Sequence, residues 1–261
     1  MIIWIASYPK SGNTWIRSML SSYLFSKKGE FGFKLLNNIE QFSSKDTDVS
    51  INDDEQYQSR VSKNWIPSQK VINKDNKIHF FKTHNAMCSI NNNKFTDKFN
   101  TLASIYIVRD PRNIITSLSH HYELTLEESL NFLTNKKKII FPKNNNVNKK
   151  ENGDPDDFNF LSDWSSHYNS WKDIKFCPVF IIKYEDILAD PREIFNSVLK
   201  FLSNFIKIKF EEKKINNVIS CTSFENLRKL EKTIGFTESA TSLKTDKKIN
   251  FFHQGKKNDW K

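Results

Sequence analysis

Cysteine, glycine and long apolar runs are all scarce in this chain of 261 residues. The three cysteines, Cys88, Cys177 and Cys221, are odd in number and widely spaced, which argues against a disulfide framework and a structural zinc site. No apolar segment is long enough for a signal-peptide core or a membrane span. We therefore expect a cytoplasmic protein with no membrane span and no bound metal.

Acidic residues are outnumbered, since 30 Asp and Glu stand against 40 Lys and Arg, giving a formal net charge of +10. A basic chain can be a nucleic-acid binder. The lysines, however, are scattered or lie in Asn/Lys-rich stretches such as Lys136–Lys150, and abundant Lys, Asn, Ile and Phe are typical of an AT-rich genome. Charge of this kind is usually solvated surface, so we expect no nucleic-acid partner.

Short apolar runs rich in β-branched residues alternate with stretches of helical period, a pattern typical of βαβ units around a parallel sheet. The predicted strands are Ile2–Ala6, His79–Lys82, Leu102–Val108 and Pro178–Lys183. The predicted helices are Thr14–Phe25, one that begins at Asp110-Pro111, Phe160–Trp171 and Pro191–Leu202. We therefore predict one α/β domain over residues 1–261, a three-layer αβα fold with a central parallel sheet flanked by helices.

Two long stretches, Phe42–Asn76 and Thr134–Asn159, are polar and rich in Asn, Asp and Lys. Loops of this length inside a compact domain are usually lids, binding loops or disordered segments. We expect these variable loops to meet whatever second substrate the protein takes.

The segment Ser7–Trp15, SYPKSGNTW, joins the first predicted strand to a helix. A helix N-terminus after a small polar turn attracts anions, because unpaired N–H groups and the helix dipole point at the ligand. Lys10 adds a full positive charge, and Gly12 lets the backbone come close. The Walker pattern GxxxxGK[ST] is absent, so this segment alone indicates a phosphate site, with an ordinary turn as the alternative.

Arg109 and Ser117 form a second constellation. Arg109 ends a predicted strand, at the edge where α/β proteins bind ligands, and its planar guanidinium matches phosphate geometry. Ser117 lies about two turns into the next helix, within reach of the same crevice. The alternative for Arg109 is a structural ion pair.

Three segments together resemble the PAPS-dependent sulfotransferases, which use 3′-phosphoadenosine 5′-phosphosulfate (PAPS). YPKSGNTW at residues 8–15 is similar to their signature YPKSGTTW, with Asn13 in place of Thr; YIVRDPRNIITSLSHH at 106–121 and FKTH at 81–84 follow in the family's order. The resemblance is to the soluble, cytosolic-type and bacterial-like members. It implies a P-loop-like fold and transfer of a sulfuryl group from PAPS to a hydroxyl or amine.

The resemblance also implies which residues bind the cofactor. Lys10 would contact the oxygen that bridges phosphate and sulfate, and Arg109 with Ser117 would grip the 3′-phosphate. Around the 5′-phosphate and the adenine it implies Ser11, Gly12, Asn13, Thr14, Trp15, Tyr184, Thr222, Ser223 and Phe224. At the C-terminal clamp, where the family reads close to RKGxxGDWK, this chain has His253, Gln254 and Gly255, and Lys256 or Lys257 is a candidate replacement for the missing cations.

For catalysis the resemblance assigns His84 as the base. Sulfuryl transfer needs a group that removes the acceptor proton, and neutral His suits this near pH 7. Lys10 would neutralise the leaving oxygen, and Lys82 would help to place the sulfonate. We expect His120 and His121 to be packing or pocket-wall residues, and we interpret the DWSSHYNSW segment, 163–171, as structural.

The predicted function is therefore a sulfotransferase that acts on a small-molecule or glycan acceptor and releases adenosine 3′,5′-bisphosphate without a metal. Two alternatives stay open. The altered clamp at His253 and Gln254 favours a catalytically impaired module that only binds the nucleotide. A nucleotide kinase of related fold would need a Walker loop, which is absent.

Overall fold

A computed structural model describes residues 1–43, 61–140, 158–242, 244–253 and 255. The strands are β1 Ile2–Ser7, β2 His79–Thr83, β3 Ser89–Ile90, β4 Asn93–Lys94, β5 Thr101–Val108, β6 Ile139–Ile140, β7 Asn159–Phe160 and β8 Val179–Lys183. The helices are α1 Asn13–Phe25, α2 Trp65–Ile72, α3 Pro111–Tyr122, α4 Leu126–Thr134, α5 Trp164–Lys172, α6 Tyr184–Ala189, α7 Pro191–Leu202, α8 Glu212–Cys221 and α9 Phe224–Ile234. Two 3₁₀ turns, Phe33–Asn38 and Asn73–Asp75, complete these elements.

A central parallel sheet has the strand order β2-β1-β5-β8. β1 pairs with β2 in parallel, from Ile2 opposite His79 to Ala6 opposite Thr83. Every residue of β1 is buried, which agrees with a strand that is apolar on both faces and covered on both sides. The predicted α/β architecture is therefore confirmed, and β3–β4 and β6–β7 add two short antiparallel pairs.

By its packing the described chain divides into two compact units. Unit 1 comprises Met1–Tyr8, Gln41–Tyr106 and Phe132–Ile181, and unit 2 comprises Pro9–Glu40, Ile107–Asn131 and Ile182–Lys261. Because each unit is assembled from three separate stretches, neither could be found as a continuous domain in the sequence. The single domain over residues 1–261 stays a prediction.

Aromatic side chains form the core of unit 1. Trp4 from β1 lies 5.1 Å from Phe95 and 5.2 Å from Phe42, ring centroid to ring centroid. Phe95 also packs on Trp65 of α2 and Trp171 of α5. Such rings bury large apolar areas and prefer edge or tilted contacts, so this cluster accounts for much of the unit's stability.

Unit 2 has its own aromatic cluster. Phe33, Phe236 and Phe252 lie within 4.4–6.1 Å of one another, ring centroid to ring centroid. Separately, Tyr23 of α1 packs edge-on against Phe195 of α7, with 5.6 Å between the ring centroids. These contacts hold together segments that are far apart in sequence.

The predicted Asp-Pro helix starts are confirmed. Asp110 accepts a hydrogen bond from the Arg112 N–H at the start of α3. Asp190 accepts from the N–H groups of Arg192 and Glu193 at the start of α7. In both helices proline occupies the first turn, where no N–H is needed.

Two boundary predictions are wrong. The helix predicted over Phe160–Trp171 begins at Trp164, because Phe160 belongs to β7 and Asp163 caps α5 through the Ser166 N–H. The polar stretch Phe42–Asn76 contains α2, whose Trp65 is fully buried, so it is not a loop throughout. In Thr134–Asn159 the described ends form β6 and β7, and the rest of that stretch lies outside the described residues.

Candidate active site

A tight turn precedes α1 in unit 2. Gly12 has φ +97° and forms the N-cap of the helix. A Cβ at Gly12 would lie 2.4 Å from Cδ2 of Tyr184, so only glycine allows the Tyr184 ring to pack against the turn. No side chain caps α1, and the first turn of the helix contains no acidic residue of its own.

The buried polar atoms around this turn that have no hydrogen-bond partner among the described residues include Ser11 Oγ, Trp15 Nε1 and Arg109 Nε. Ser11 is fully buried, and Trp15 and Arg109 are each 7% exposed. A buried polar atom without a partner costs about 1–3 kcal/mol, so such atoms are rare in folded proteins. Unpartnered buried atoms occur elsewhere in the described chain too, but these lie beside an uncapped helix N-terminus, where a ligand rich in oxygen atoms, such as the phosphosulfate of PAPS, would accept from them.

Arg109 and Tyr184 close the side of the turn. The Arg109 Nη1 donates to the Lys10 carbonyl oxygen at 3.0 Å, and the guanidinium carbon lies 4.4 Å from the centre of the Tyr184 ring. Tyr184 meets the Trp15 ring edge-on at 5.9 Å between centroids. Its hydroxyl donates to the Gly255 carbonyl oxygen at 2.8 Å. Tyr184 thus contacts four other predicted cofactor residues: Gly12, Trp15, Arg109 and Gly255.

The C-terminal segment also reaches the turn. Lys10 Nζ lies 3.9 Å from the centre of the Phe251 ring. The rings of His253 and His120 are stacked, 3.7 Å apart and 12° from parallel. Burial, and then the neighbouring His253 and Lys10, lower the pKa of His120. His120 therefore packs against the predicted clamp residue His253.

Gly255 lies against another predicted residue, since a Cβ there would be 2.3 Å from Cζ of Phe224. Its φ of +64° also favours glycine. Gln254, Lys256 and Lys257 lie outside the described residues.

Some predicted ligand groups are engaged by the protein itself. The Thr14 hydroxyl donates to Glu238 at 3.3 Å, and Glu238 also pairs with Arg17 at 2.6 Å. The Thr222 hydroxyl donates to the Val218 carbonyl oxygen at 2.7 Å and is fully buried. These two side chains are placed like structural groups.

The remaining predicted cofactor residues are placed differently. Ser223 caps α9 by accepting from the Asn226 N–H at 3.3 Å. Ser117 is half-buried on α3. Asn13, the departure from the family's signature, is buried at the start of α1.

His84, the predicted base, lies just after β2 in unit 1. Its Nδ1 is 2.7 Å from the Ser7 carbonyl oxygen, which can only accept, so Nδ1 carries the proton. The basic lone pair is then on Nε2. The His84 N–H donates to Oδ1 of Asn159 at 3.1 Å, which holds the backbone in place. Orientation of one ring nitrogen by a hydrogen bond to the other is a common feature of histidine bases.

A second histidine, His167, is hydrogen-bonded to the backbone of His84. His167 Nε2 donates to the His84 carbonyl oxygen at 3.0 Å, and His167 Nδ1 accepts from the Tyr106 hydroxyl at 2.8 Å. His167 and Tyr106 are both fully buried. Burial lowers the pKa of His167 to about 4, so this histidine is neutral and its tautomer is set by its two partners.

Lys82, the second predicted catalytic residue of unit 1, belongs to β2 and pairs with Ile5 across the sheet. It is 8% exposed, and its carbonyl oxygen accepts from the Phe42 N–H at 2.8 Å. Lys82 and His84 therefore both lie at the carboxyl end of a parallel strand, as predicted.

Neither a metal cluster nor a membrane-spanning helix is found in the described ranges. No group of three or more His, Cys, Asp or Glu side chains could hold a metal ion there. None of the helices in those ranges is long and apolar enough to cross a bilayer.

A family model described as the sulfotransferase domain matches residues 2–261. The chain belongs to the sulfotransferase family. A curated relative of this sulfotransferase, cytosolic sulfotransferase 13 of Arabidopsis thaliana, is 22% identical over 269 residues, which cover 98% of this chain and 70% of the relative. The predictions of family and of PAPS-dependent sulfotransferase activity are confirmed.

Solved structures show the same fold. Mouse sulfotransferase SULT7A1 complexed with PAP matches with a TM-score of 0.56 and 19% identity over 99% of this chain and 77% of the mouse chain. Retinol dehydratase in complex with androsterone and the inactive cofactor PAP matches with a TM-score of 0.54 and 16% identity over 99% and 74%. At these identities the likeness supports the fold of this sulfotransferase.

Several residues of this sulfotransferase that contact predicted site residues were not predicted from the sequence, among them His167, Phe251 and Glu238. His167 lies in the DWSSHYNSW segment, which was interpreted as structural, and Phe251 and Glu238 had no motif to mark them. The signal for His167 was available, since a histidine one helical turn from Trp164 and Trp171 lies on the apolar face of the helix, where it needs polar partners. Nothing in the sequence pointed to the other two.

Proposed function

We propose that this enzyme transfers the sulfuryl group of PAPS to a hydroxyl or amine of a small-molecule or glycan acceptor in the cytoplasm. The observation that carries the donor assignment is the set of buried, unpartnered atoms of Ser11, Trp15 and Arg109 around the Gly12 turn. The two phosphate groups of PAPS would accept from the Ser11 hydroxyl near the 5′-phosphate and from the Arg109 guanidinium near the 3′-phosphate, and the uncapped α1 N-terminus favours an anion.

In the proposed reaction the bond between sulfur and the bridging oxygen of PAPS breaks as sulfur bonds to the acceptor oxygen or nitrogen. The electron pair of the broken bond stays on the bridging oxygen, and adenosine 3′,5′-bisphosphate leaves. Lys10 would neutralise the charge that develops on this oxygen, an electrostatic effect that is usually large in such chemistry. Nε2 of His84 would take the acceptor proton, and the Ser7 carbonyl would stabilise the resulting imidazolium through Nδ1–H.

Two relatives support the choice of acceptor and compartment. The retinol dehydratase structure holds androsterone, a hydroxysteroid, which favours a small-molecule acceptor over a glycan. The Arabidopsis relative is named a cytosolic enzyme, which supports the cytoplasmic assignment.

Calorimetry tests the donor. We expect adenosine 3′,5′-bisphosphate to bind, with 5′-AMP weaker because it lacks the 3′-phosphate and ATP weaker because the turn has no Walker geometry. Binding of ATP alone would contradict the proposal and favour the kinase alternative.

Incubation with labelled PAPS and panels of phenols, alcohols, amines and glycans tests transfer. A protein that binds adenosine 3′,5′-bisphosphate but sulfates no member of these panels would favour the impaired nucleotide-binding module.

A further inference from the structure

The carboxylate of Glu231 is buried in unit 2 without a lysine or arginine pairing with it among the described residues; its side chain lies on α9 and the residue is 7% exposed. Its Oε1 accepts from the Phe251 N–H and from the Ser239 hydroxyl, each at 2.6 Å. Its Oε2 accepts from the Phe252 N–H at 3.0 Å. Burial of a carboxylate is costly unless its oxygens are hydrogen-bonded, so these three donors account for its place in the core.

The segment that Glu231 binds contacts the predicted donor site at three points. Phe251 lies under Lys10 Nζ, His253 stacks on His120, and the Asn250 carbonyl oxygen is 3.1 Å from Nε2 of His120. These contacts need a defined backbone path, since a shift of one residue would remove Phe251 from Lys10.

Apolar packing alone does not define that path. Phe252 packs against Phe33, Phe224 and Phe236, and these ring contacts keep the segment on unit 2. Hydrophobic contact is non-directional, whereas two adjacent N–H groups bonded to one carboxylate set both the rotation and the register of the backbone.

We propose that Glu231 is a positioning residue for the donor site: its carboxylate holds Asn250–His253 in the register that places Phe251 on Lys10 and His253 on His120. The inference rests on the proposed use of PAPS. Glu231 itself does not touch Lys10, Arg109 or Ser11 in the described contacts, so it acts through the segment and not on the donor.

The decisive variant is Glu231→Gln, which keeps the side chain's shape but presents an NH₂ group to one of the two backbone N–H donors. We expect the dissociation constant for adenosine 3′,5′-bisphosphate to rise about tenfold and the KM for PAPS to rise in parallel. The KM for the acceptor and kcat at saturating PAPS should change less than about threefold, because the bound donor restores the segment. The matched control is Glu127→Gln, the same charge change at an exposed position of α4.

A purely structural role predicts a different pattern, in which Glu231→Gln lowers the melting temperature and raises both KM values alike. Unchanged donor affinity in a folded Glu231→Gln protein, or equal effects on donor and acceptor, would overturn the inference. If the wild-type protein fails to bind adenosine 3′,5′-bisphosphate, the proposed function itself fails, and this outcome is separate.

Hydrogen exchange on the wild-type chain keeps the inference testable if the variant does not fold. The amides of Phe251 and Phe252 should be protected in the ligand-free protein, and adenosine 3′,5′-bisphosphate should slow their exchange further. Fast exchange of both amides with no change on adding the nucleotide would contradict the proposal.

Discussion

The surroundings of His84 in unit 1 and of Gly12 in unit 2 differ in how their polar atoms are satisfied. Around His84 the ring Nδ1–H, the backbone N–H and the carbonyl oxygen each have a partner: Ser7, Asn159 and His167. Around Gly12 the buried atoms Ser11 Oγ, Trp15 Nε1 and Arg109 Nε have none among the described residues. The His84 groups are therefore satisfied within unit 1, whereas the turn in unit 2 leaves buried polar atoms without a partner among the described residues.

This difference separates two ways of building a site. A base acts best when its tautomer and direction are set before the substrate arrives, which the hydrogen bonds of His84 achieve. A turn that binds PAPS gains affinity when its polar groups are buried and unpaired in the free protein. The ligand then forms hydrogen bonds without having to displace partners within the protein. Variants of the two regions should therefore affect different measurements.

The largest effect is expected from His84→Asn, which removes the basic nitrogen. Turnover should fall about 10²–10⁴-fold, the usual contribution of a general base. The affinity for adenosine 3′,5′-bisphosphate should stay within about twofold, because His84 is hydrogen-bonded to groups of unit 1 and is proposed to act on the acceptor, not to bind the nucleotide. Steady-state kinetics and calorimetry on the same preparation measure both.

The control for this variant is His79→Asn, a histidine on β2 that is hydrogen-bonded to Asp75 and unused in the proposed reaction. Its turnover should match that of the wild-type protein. If His84→Asn turns over at the wild-type rate, His84 is not the base, and its hydrogen bonds to Ser7 and Asn159 only stabilise the structure.

A smaller effect, on stability, is expected from His167. Its pKa is about 4 in the folded protein, against 6.5 as the ordinary value. The unfolded chain therefore binds a proton between these two pH values while the folded protein does not, so stability is highest above pH 6.5 and is lost as the pH falls toward 4. The loss from this group is about 3 kcal/mol in total, or about 1.4 kcal/mol per pH unit within that range.

Urea unfolding at pH 7 and pH 5 measures this slope. His167→Gln cannot titrate, so its free energy of unfolding should depend on pH less steeply than that of the wild-type protein. Tyr106→Phe, which removes the donor to Nδ1 but keeps the imidazole, should lose about 1 kcal/mol at both pH values and retain the slope. Equal slopes for wild type and His167→Gln would exclude this histidine as the cause.

Much of the fold could be predicted because its signals are local. The buried strand Ile2–Ala6 and the Asp-Pro pairs at Asp110 and Asp190 depend on neighbouring residues only, and they were predicted to within one residue. α2 was missed because the polar residues Asn64, just before it, and Gln69, within it, obscure the apolar position of Trp65, which is buried against distant rings.

The site divides in the same way. Its loop could be predicted from the residues of the turn itself, since a strand, a glycine and a helix start are adjacent in the chain. The hydrogen bonds from Tyr106 to His167 and from His167 to His84 join residues 61 and 83 positions apart, so no spacing pattern contains them. The hydrogen bond from the Thr14 hydroxyl to Glu238, 224 positions away, could not be predicted from the sequence for the same reason.

The smallest effect should come from Ser11→Ala, and it tests the unsatisfied region directly. The Ser11 hydroxyl is buried without a partner among the described residues, so its removal should leave the ligand-free protein as stable as before or slightly more stable. The same change should weaken adenosine 3′,5′-bisphosphate binding about fivefold to tenfold, because one hydrogen bond to the ligand is lost.

Ser18→Ala, on the helix α1 that follows Ser11, is the matched control, and it should show the reverse pattern. Its hydroxyl is also fully buried but donates to the Thr14 carbonyl oxygen at 2.7 Å. Its loss should lower the free energy of unfolding by about 1 kcal/mol and leave nucleotide affinity unchanged. If instead Ser11→Ala destabilises the free protein and binds the nucleotide normally, the hydroxyl is satisfied by the protein, and the contrast between the two regions fails at that residue.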